Sequence, residues 1–124
     1  MFDWFKASGL ATLEKLYFPN EKIDWPEPWW YLDSNIEIRA GIQRELNSEI
    51  GPKHPLWGLK PVVIGKSDAN DDVIVHLNNG KFACVHLIWH GRIDQHPDKY
   101  PSSIIFENIS DLQHFINIEA AEYS

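Results

Sequence analysis

The sequence has few of the features that mark secreted, membrane-spanning or disulfide-stabilised proteins. Cys84 is its only cysteine, which excludes an internal disulfide and a thiolate metal cage. No apolar run approaches the roughly 20 residues of a membrane-spanning helix. The start, MFDWFKASGLATLEKLYF, lacks the basic and then continuously apolar pattern of a signal peptide. We therefore expect a cytoplasmic protein that has no membrane segment.

Basic residues are also scarce. The chain has 11 Lys and Arg against 18 Asp and Glu, which gives a formal net charge of −7, and no Lys or Arg follows Lys99. Nucleic acid is therefore not an expected partner, because binding it requires a basic surface that displaces counterions. An acidic surface attracts basic proteins instead, although many proteins are acidic only for solubility.

The length of the chain predicts a single domain, residues 1–124, with one hydrophobic core. Apolar residues at a loosely helical spacing predict a first helix from residue 2 to about 17. A second helix is predicted for residues 35–49, capped by Asp33 or Ser34. Its apolar side consists of Ile38, Ile42, Leu46 and Ile50. The charged residues of this helix, which include Glu45 and Glu49, are expected on the opposite, solvated face.

The segment EKIDWPEPWWYL precedes this second helix. Pro26 and Pro28 forbid a regular helix there and favour extended backbone. We expect Trp25, Trp29 and Trp30 to cover the domain as buried cladding. A stacking or peptide-binding platform is the alternative.

Four strands are predicted in the second half of the chain, at residues 61–65, 72–77, 81–89 and 103–107. Asn79 and Gly80 both tolerate positive φ, which favours a hairpin with a two-residue loop between the second and third of these strands. That loop would pair Leu77 with Phe82, Val75 with Cys84 and Val73 with His86. The other face would then carry Ile74 and His76 with Ala83, Val85, Leu87 and Trp89.

A last helix follows the strands. Ser110 and Gln113 form a capping box, and the buried stripe of the helix is Leu112, Phe115 and Ile116. Both faces of the hairpin are mainly apolar, so we expect cover on both sides of the sheet. The expected fold class is α+β: an antiparallel meander of three to four strands with two N-terminal helices and one C-terminal helix.

His86 and His90 have a spacing that argues against a metal site. On a strand they lie on one face about 13 Å apart, at about 3.3 Å per residue, whereas zinc–nitrogen bonds are about 2.1 Å long. We expect no metal and no cofactor. His86 is instead expected to be buried or half-buried and to hydrogen-bond a neighbour such as an aspartate.

No catalytic motif is present. The sequence contains no G-x-S-x-G elbow, phosphate-binding loop or dinucleotide fingerprint. Cys84 lies among apolar strand residues, where a thiol has a raised pKa and poor access, so we expect a structural role. Asp71 and Asp72 are adjacent on an extended chain and point in opposite directions, so they suit a turn or a partner contact better than an acid–base dyad.

Three segments follow one another along the chain: LNSEIGPKHPLWG, then NDDV, then FACVHLIWHGRID. Together they resemble a group of small, largely uncharacterised bacterial proteins. That group has an H-P-L segment after a helix, a D-D-V strand start, and a V-H-L-T-W strand followed by a charged turn. The resemblance covers about residues 44–106, and Ile88 stands where the group has Thr.

The resemblance implies binding rather than catalysis, because some members of the group resemble immunity proteins of secreted or contact-delivered toxins. The implied partner is a cognate toxin domain with a basic substrate cleft, such as a nuclease. Carboxylates would replace substrate phosphates, and an aromatic side chain would anchor the interface. The expected contacts are Asp71, Asp72, Trp89 and Asp94, whereas His54 and His86 are expected in the scaffold.

Two other functions stay open. A small enzyme or ligand-binding domain would gather His86, His90 and an acid around a pocket. A plain protein-interaction module would need no such pocket. A deep cleft lined by histidines favours the first alternative, and the gene neighbourhood separates the second from an immunity protein.

Overall fold

The structure is a computed structural model, and it describes residues 23–32 and 35–123. It contains two helices and a five-stranded antiparallel sheet in which each strand neighbours the next along the chain. The elements are β1 (Trp29–Tyr31), α1 (Ile36–Glu49), β2 (Val62–Ser67), β3 (Asp72–His76), β4 (Phe82–His86), β5 (Ser102–Phe106) and α2 (Ile109–Tyr123). The α+β class is confirmed. The helix predicted for residues 2 to about 17 lies outside the described residues.

The sheet has one strand more than predicted. β1 pairs with β2 in the register Trp29↔Ser67 to Tyr31↔Gly65. Its three residues directly follow Pro28, and a strand that short carries no periodicity from which it could be recognised. Trp29 is buried, and Trp25 stacks on Tyr31 with a centroid separation of 5.8 Å. The tryptophan-rich segment therefore lies on the domain, but only Trp29 is buried as predicted, whereas Trp25 and Trp30 are half-buried.

Helix α1 begins at a cap different from the two predicted. The side chain of Asn35 accepts a hydrogen bond from the Ile38 N–H at 3.2 Å, and Asp33 and Ser34 lie outside the described residues. Ile42, Leu46 and Ile50 are buried as predicted, but Ile38 is exposed. A strict spacing of four residues advances about 40° around the helix at each step, so the first member of the series has drifted off the buried face.

Helix α2 is capped by Asn108, whose Oδ1 accepts from the Asp111 N–H at 2.9 Å, and not by the predicted Ser110. The predicted apolar stripe is confirmed at Leu112 and Ile116, which are buried, and at Phe115, which packs against them. Neither described helix has the length and apolar character needed to cross a bilayer.

The predicted hairpin is present, but its register is shifted by one residue. Leu77 N–H donates to the Lys81 carbonyl at 2.9 Å and Gly80 N–H donates to the Leu77 carbonyl at 3.0 Å, so the loop has three residues with Gly80 at a φ of 86°. The observed pairs run from Asp72↔His86 to His76↔Phe82. Because side chains alternate across a strand, the shift places Val73, Val75 and Leu77 on the same face as Ala83 and Val85, and not on that of Phe82 and Cys84 as predicted.

Each face of the sheet carries its own apolar cluster. Val73, Val75, Leu77, Ala83, Val85 and Leu87 pack with α1. Ile74, Phe82 and Cys84 pack on the other side with α2 and Trp29. The prediction of cover on both sides is confirmed, with one helix on each side. This two-sided packing decides to which side of the sheet each residue of the hairpin points.

Candidate functional site

Three of the four predicted contact residues meet at the open end of the hairpin, away from the loop at Gly80. Asp71 and Asp72 lie where β3 begins, and Trp89 lies shortly after β4 ends. Trp89 Nε1–H donates to Asp71 Oδ1 at 3.2 Å, and the Leu87 N–H donates to the Asp71 carbonyl at 3.1 Å. Trp89 is 45% exposed. An aromatic ring and a carboxylate therefore share one surface, which we call the Trp89 surface (Asp71 and Trp89).

A buried carboxyl group on α1 fixes the backbone of Trp89. Glu49 is only 2% exposed, and its two oxygens accept from the N–H groups of Ile88 and Trp89 at 2.9 and 2.8 Å. One turn earlier, Glu45 accepts from the Gly91 N–H at 2.9 Å. Trp89 has a φ of 66°, a left-handed conformation that side-chain-bearing residues rarely adopt. The two glutamates thus take the chain out of β4 and hold it in a fixed turn.

The two carboxyl groups are joined by a hydrogen bond. Burial raises the pKa of Glu49 to about 7, and the hydrogen bond with Glu45 adds to this, while the N–H groups of Ile88 and Trp89 oppose it. The same hydrogen bond lowers the pKa of Glu45. Below about pH 7, Glu49 therefore carries a proton that it can donate to the ionised Glu45.

Unfolding should become easier as the pH rises through neutrality. The raised pKa means that Glu49 holds its proton more tightly when folded. Its contribution to stability is therefore complete below the ordinary value of 4.5 and is lost as the pH rises through about 7. We expect the free energy of unfolding, measured by urea denaturation, to fall by about 2 kcal/mol between about pH 5 and pH 8. Glu49→Gln cannot titrate, so its free energy of unfolding should depend less on pH. An equally steep decline in that variant would show that Glu49 does not cause the pH dependence.

Asp72 and His86 line a cleft on the α2 side of the sheet. His86 Nδ1 lies 2.8 Å from Asp72 Oδ1, which confirms the expected hydrogen bond to an aspartate. The imidazole is 52% exposed, more than predicted, because it stands at the end of β4 beyond the buried part of the sheet. The cleft has a volume of about 370 Å³ and is also lined by Ser102, Cys84 and Glu119.

The other predicted residues lie outside this arrangement. Asp94 is half-buried, and its Oδ1 accepts from the His96 N–H at 2.8 Å, so it shapes its own loop. His90 is exposed and does not line the cleft. The predicted shared strand face of His86 and His90 is wrong, because β4 ends at His86. Across residues 23–32 and 35–123, no group of three or more His, Cys, Asp and Glu residues is placed to hold a metal ion.

His54 and Cys84, for which we expected structural roles, are both buried. His54 is buried; its Nδ1 accepts from the Leu56 N–H at 3.0 Å, so Nε2 carries the proton and donates to the Pro101 carbonyl at 2.7 Å. Cys84 is buried beneath the cleft. Burial, followed by the charges of Asp72 and Glu119, raises the pKa of its thiol well above the ordinary value. A thiol in that state is a poor nucleophile.

A second concavity, also about 370 Å³, lies at the other end of the sheet. Most of its wall is formed by Ile50, Leu56, Trp57 and Pro61, and Lys60 is the only charged residue among the described residues that line it. Gly58 and Leu59 in the same segment accept from Asn78 in the hairpin loop. No carboxylate is among the described residues that line this concavity, so it offers no acid–base pair.

Glu49 was missed by the sequence interpretation, which assigned it to the solvated face of α1. A signal for its burial does exist in the sequence. Glu49 follows Ile42 by seven residues and Leu46 by three, which places it on the apolar stripe. A carboxyl group on such a stripe requires polar partners in the interior, and here those partners are backbone N–H groups.

No protein-family model matches the chain, and neither a curated protein nor a solved structure shows significant similarity to it.

Proposed function

We propose that the protein is an immunity protein that binds a cognate bacterial toxin domain and neutralises it in the cytoplasm of the producing cell. The observation that supports this most strongly is the Trp89 surface, where an exposed indole stands beside a carboxylate on a turn fixed by a buried glutamate. Tryptophan is enriched among residues that dominate binding energy. A fixed turn also reduces the entropy lost on binding.

The toxin in this proposal carries a basic substrate cleft, as a nuclease does. Asp71 is exposed, and its carboxylate would occupy the position of a substrate phosphate. Asp72 and Asp94 are partly buried and bonded within the chain, so they would add negative potential more than direct contacts. The net charge of −7 would speed the approach of a basic partner.

Replacing Asp71 and Asp72 together by asparagine should slow association with the toxin. The candidate toxin is the product of the gene adjacent to the one that encodes this chain, and co-purification of the two tests the proposal itself. Asparagine preserves the hydrogen-bond acceptors for Trp89 and His86 but removes two charges. We expect the association rate at low salt to fall about tenfold and its salt dependence to flatten, as measured by stopped-flow mixing.

The matched control replaces Glu107 and Asp111, two carboxylates beyond the far end of β5, by Gln and Asn. This pair removes the same charge from a surface outside the proposed interface, so the association rate should change by less than about twofold. Equal slowing by the two double variants would show that net charge alone steers the toxin. Unchanged kinetics in the Asp71/Asp72 variant would reject these residues as contacts.

A second candidate function is a small enzyme or ligand-binding domain. The observation that favours it is the Asp72–His86 pair in the cleft, together with the cross-strand pairing of His86 with Ser102. An aspartate bonded to Nδ1 orients an imidazole for proton transfer through Nε2. Turnover of chromogenic ester or phosphodiester substrates by the purified chain, lost in His86→Ala, would favour this function over inhibition by binding.

A further inference from the structure

Among the described residues, strand β5 is an outer strand of the sheet with no neighbour on one side. It is the last strand in the order β1-β2-β3-β4-β5, and no described strand pairs with its outer side. In an antiparallel sheet, alternate residues of an edge strand direct their N–H and C=O groups away from the neighbouring strand. β5 is five residues long, whereas β1 at the opposite edge has only three, so β5 offers the longer edge for such pairing.

The sequence of β5 lacks the usual protection of an edge strand. Natural edges are commonly blocked by lysine, proline, a bulge or an inward-pointing charge. Ser102–Phe106, SSIIF, contains none of these residues, and its pairing with β4 is regular throughout. Ile104 is 53% exposed on the α2 side and Ile105 is 41% exposed on the other side. An unprotected edge with apolar side chains on both faces is the surface to which an added strand binds.

The cleft described above opens beside this edge. Ser102 and Ile104 of β5 form one wall, and the carboxylates of Asp72 and Glu119 lie within it. Burial raises the pKa of Glu119, and the nearby charges of Glu122 and Asp72 raise it further. Asp72 already bonds His86, but no described cation is paired with Glu119. A cationic group would therefore be stabilised there.

We propose that the outer edge of β5 binds an extended segment of a partner protein as a sixth strand, and that an arginine or lysine of this segment extends over Ser102 and Ile104 into the acidic cleft. Alternate side chains of an added strand point to the α2 side of the sheet, so one of these positions, the one beside Ser102 and Ile104, prefers a basic residue. The inference concerns how a partner docks and is independent of whether that partner is a toxin.

Peptide titration of the full-length, isotope-labelled chain tests this inference. The probe is a blocked heptapeptide that alternates valine with arginine, and its matched control alternates valine with glutamate. We expect the arginine peptide to shift the backbone amide NMR signals of residues 102–106 and to slow their hydrogen exchange. We also expect it to bind at least about tenfold more tightly than the glutamate peptide, because charge repulsion opposes the control. Glu119→Gln should weaken binding of the arginine peptide about threefold, and Glu37→Gln on α1 should have no effect.

Three outcomes would overturn the inference. Signals of residues 102–106 that neither peptide shifts would exclude strand pairing at β5. Equal affinity for the two peptides would exclude recognition of a basic residue by the cleft. Concentration-dependent loss of the same signals without peptide, together with a dimer in sedimentation, would assign the edge to a second copy of this chain instead. None of these results bears on the Trp89 surface.

Discussion

Replacing Glu49 by alanine is expected to lower the free energy of unfolding by about 3 kcal/mol and to release the turn that carries Trp89. The variant leaves the N–H groups of Ile88 and Trp89 without acceptors in a region where α1 packs against the chain. Each unpaired, buried N–H group costs about 1–3 kcal/mol. Because Trp89 has an unfavourable left-handed backbone, its conformation should relax once the carboxyl group is gone.

Urea denaturation measures the loss of stability, and amide NMR signals of residues 88–91 report the turn. Glu45→Ala is the comparison on the same helix, because Glu45 is half-buried and bonds only one N–H group of the turn, that of Gly91, besides the Glu49 carboxyl group. It should cost about 1 kcal/mol. A Glu49→Ala variant as stable as Glu45→Ala, with unchanged signals in the turn, would show that the buried carboxyl group does not hold it.

The secondary structure of the described residues follows largely from local sequence. Helix α1 and strands β2 to β5 lie within a few residues of their predicted positions, because their signals are runs of apolar residues between turn-forming pairs. The register of the hairpin could not be predicted from local sequence. Asn79 and Gly80 suit both a two-residue loop and a three-residue loop with Gly80 last, and the choice decides which face of β3 is combined with which face of β4.

The register decides which side chains form the site. In the predicted two-residue loop His86 faces Val73, whereas in the structure it faces Asp72 and bonds its carboxylate. The cleft and its Asp72–His86 pair could therefore not be derived from an otherwise sound strand assignment. The early end of β4 also has a distant cause, since Glu49 accepts from N–H groups about 40 residues further along the chain. Local patterns contain no information on a contact of that range.

Asp71 and Trp89 were each predicted to contact the partner, but their proximity to each other was not predicted. Both lie at the ends of strands that a hairpin brings together, so their proximity follows from the pairing of β3 with β4, which the sequence does predict. Asp94 lies four residues beyond His90, in the loop before β5, where no repeating pattern fixes its position. Of the four predicted contact residues, Asp94 is therefore the one whose position the sequence determines least.

Replacing Trp89 by alanine should weaken binding of the toxin about 30- to 100-fold, which corresponds to about 2–3 kcal/mol. The indole is exposed at the open end of the hairpin, and its ring position is fixed by the bond to Asp71 and by the backbone bond to Glu49. Truncation removes the side chain but keeps the Trp89 N–H that Glu49 binds. The turn should therefore persist, and most of the loss should appear in a faster dissociation rate.

Trp57→Ala provides the control, because Trp57 is 55% exposed at the other end of the sheet beside the second concavity. It should leave the affinity for the toxin within about twofold of the original value, since it lies outside the proposed interface. Trp89→Phe should fall between the original protein and Trp89→Ala, because it keeps an aromatic ring but loses the Nε1–H donated to Asp71. Calorimetry or surface plasmon resonance measures the affinity of each variant for the toxin. If Trp89→Ala and Trp57→Ala bind the toxin equally well, the interface lies elsewhere on the acidic surface.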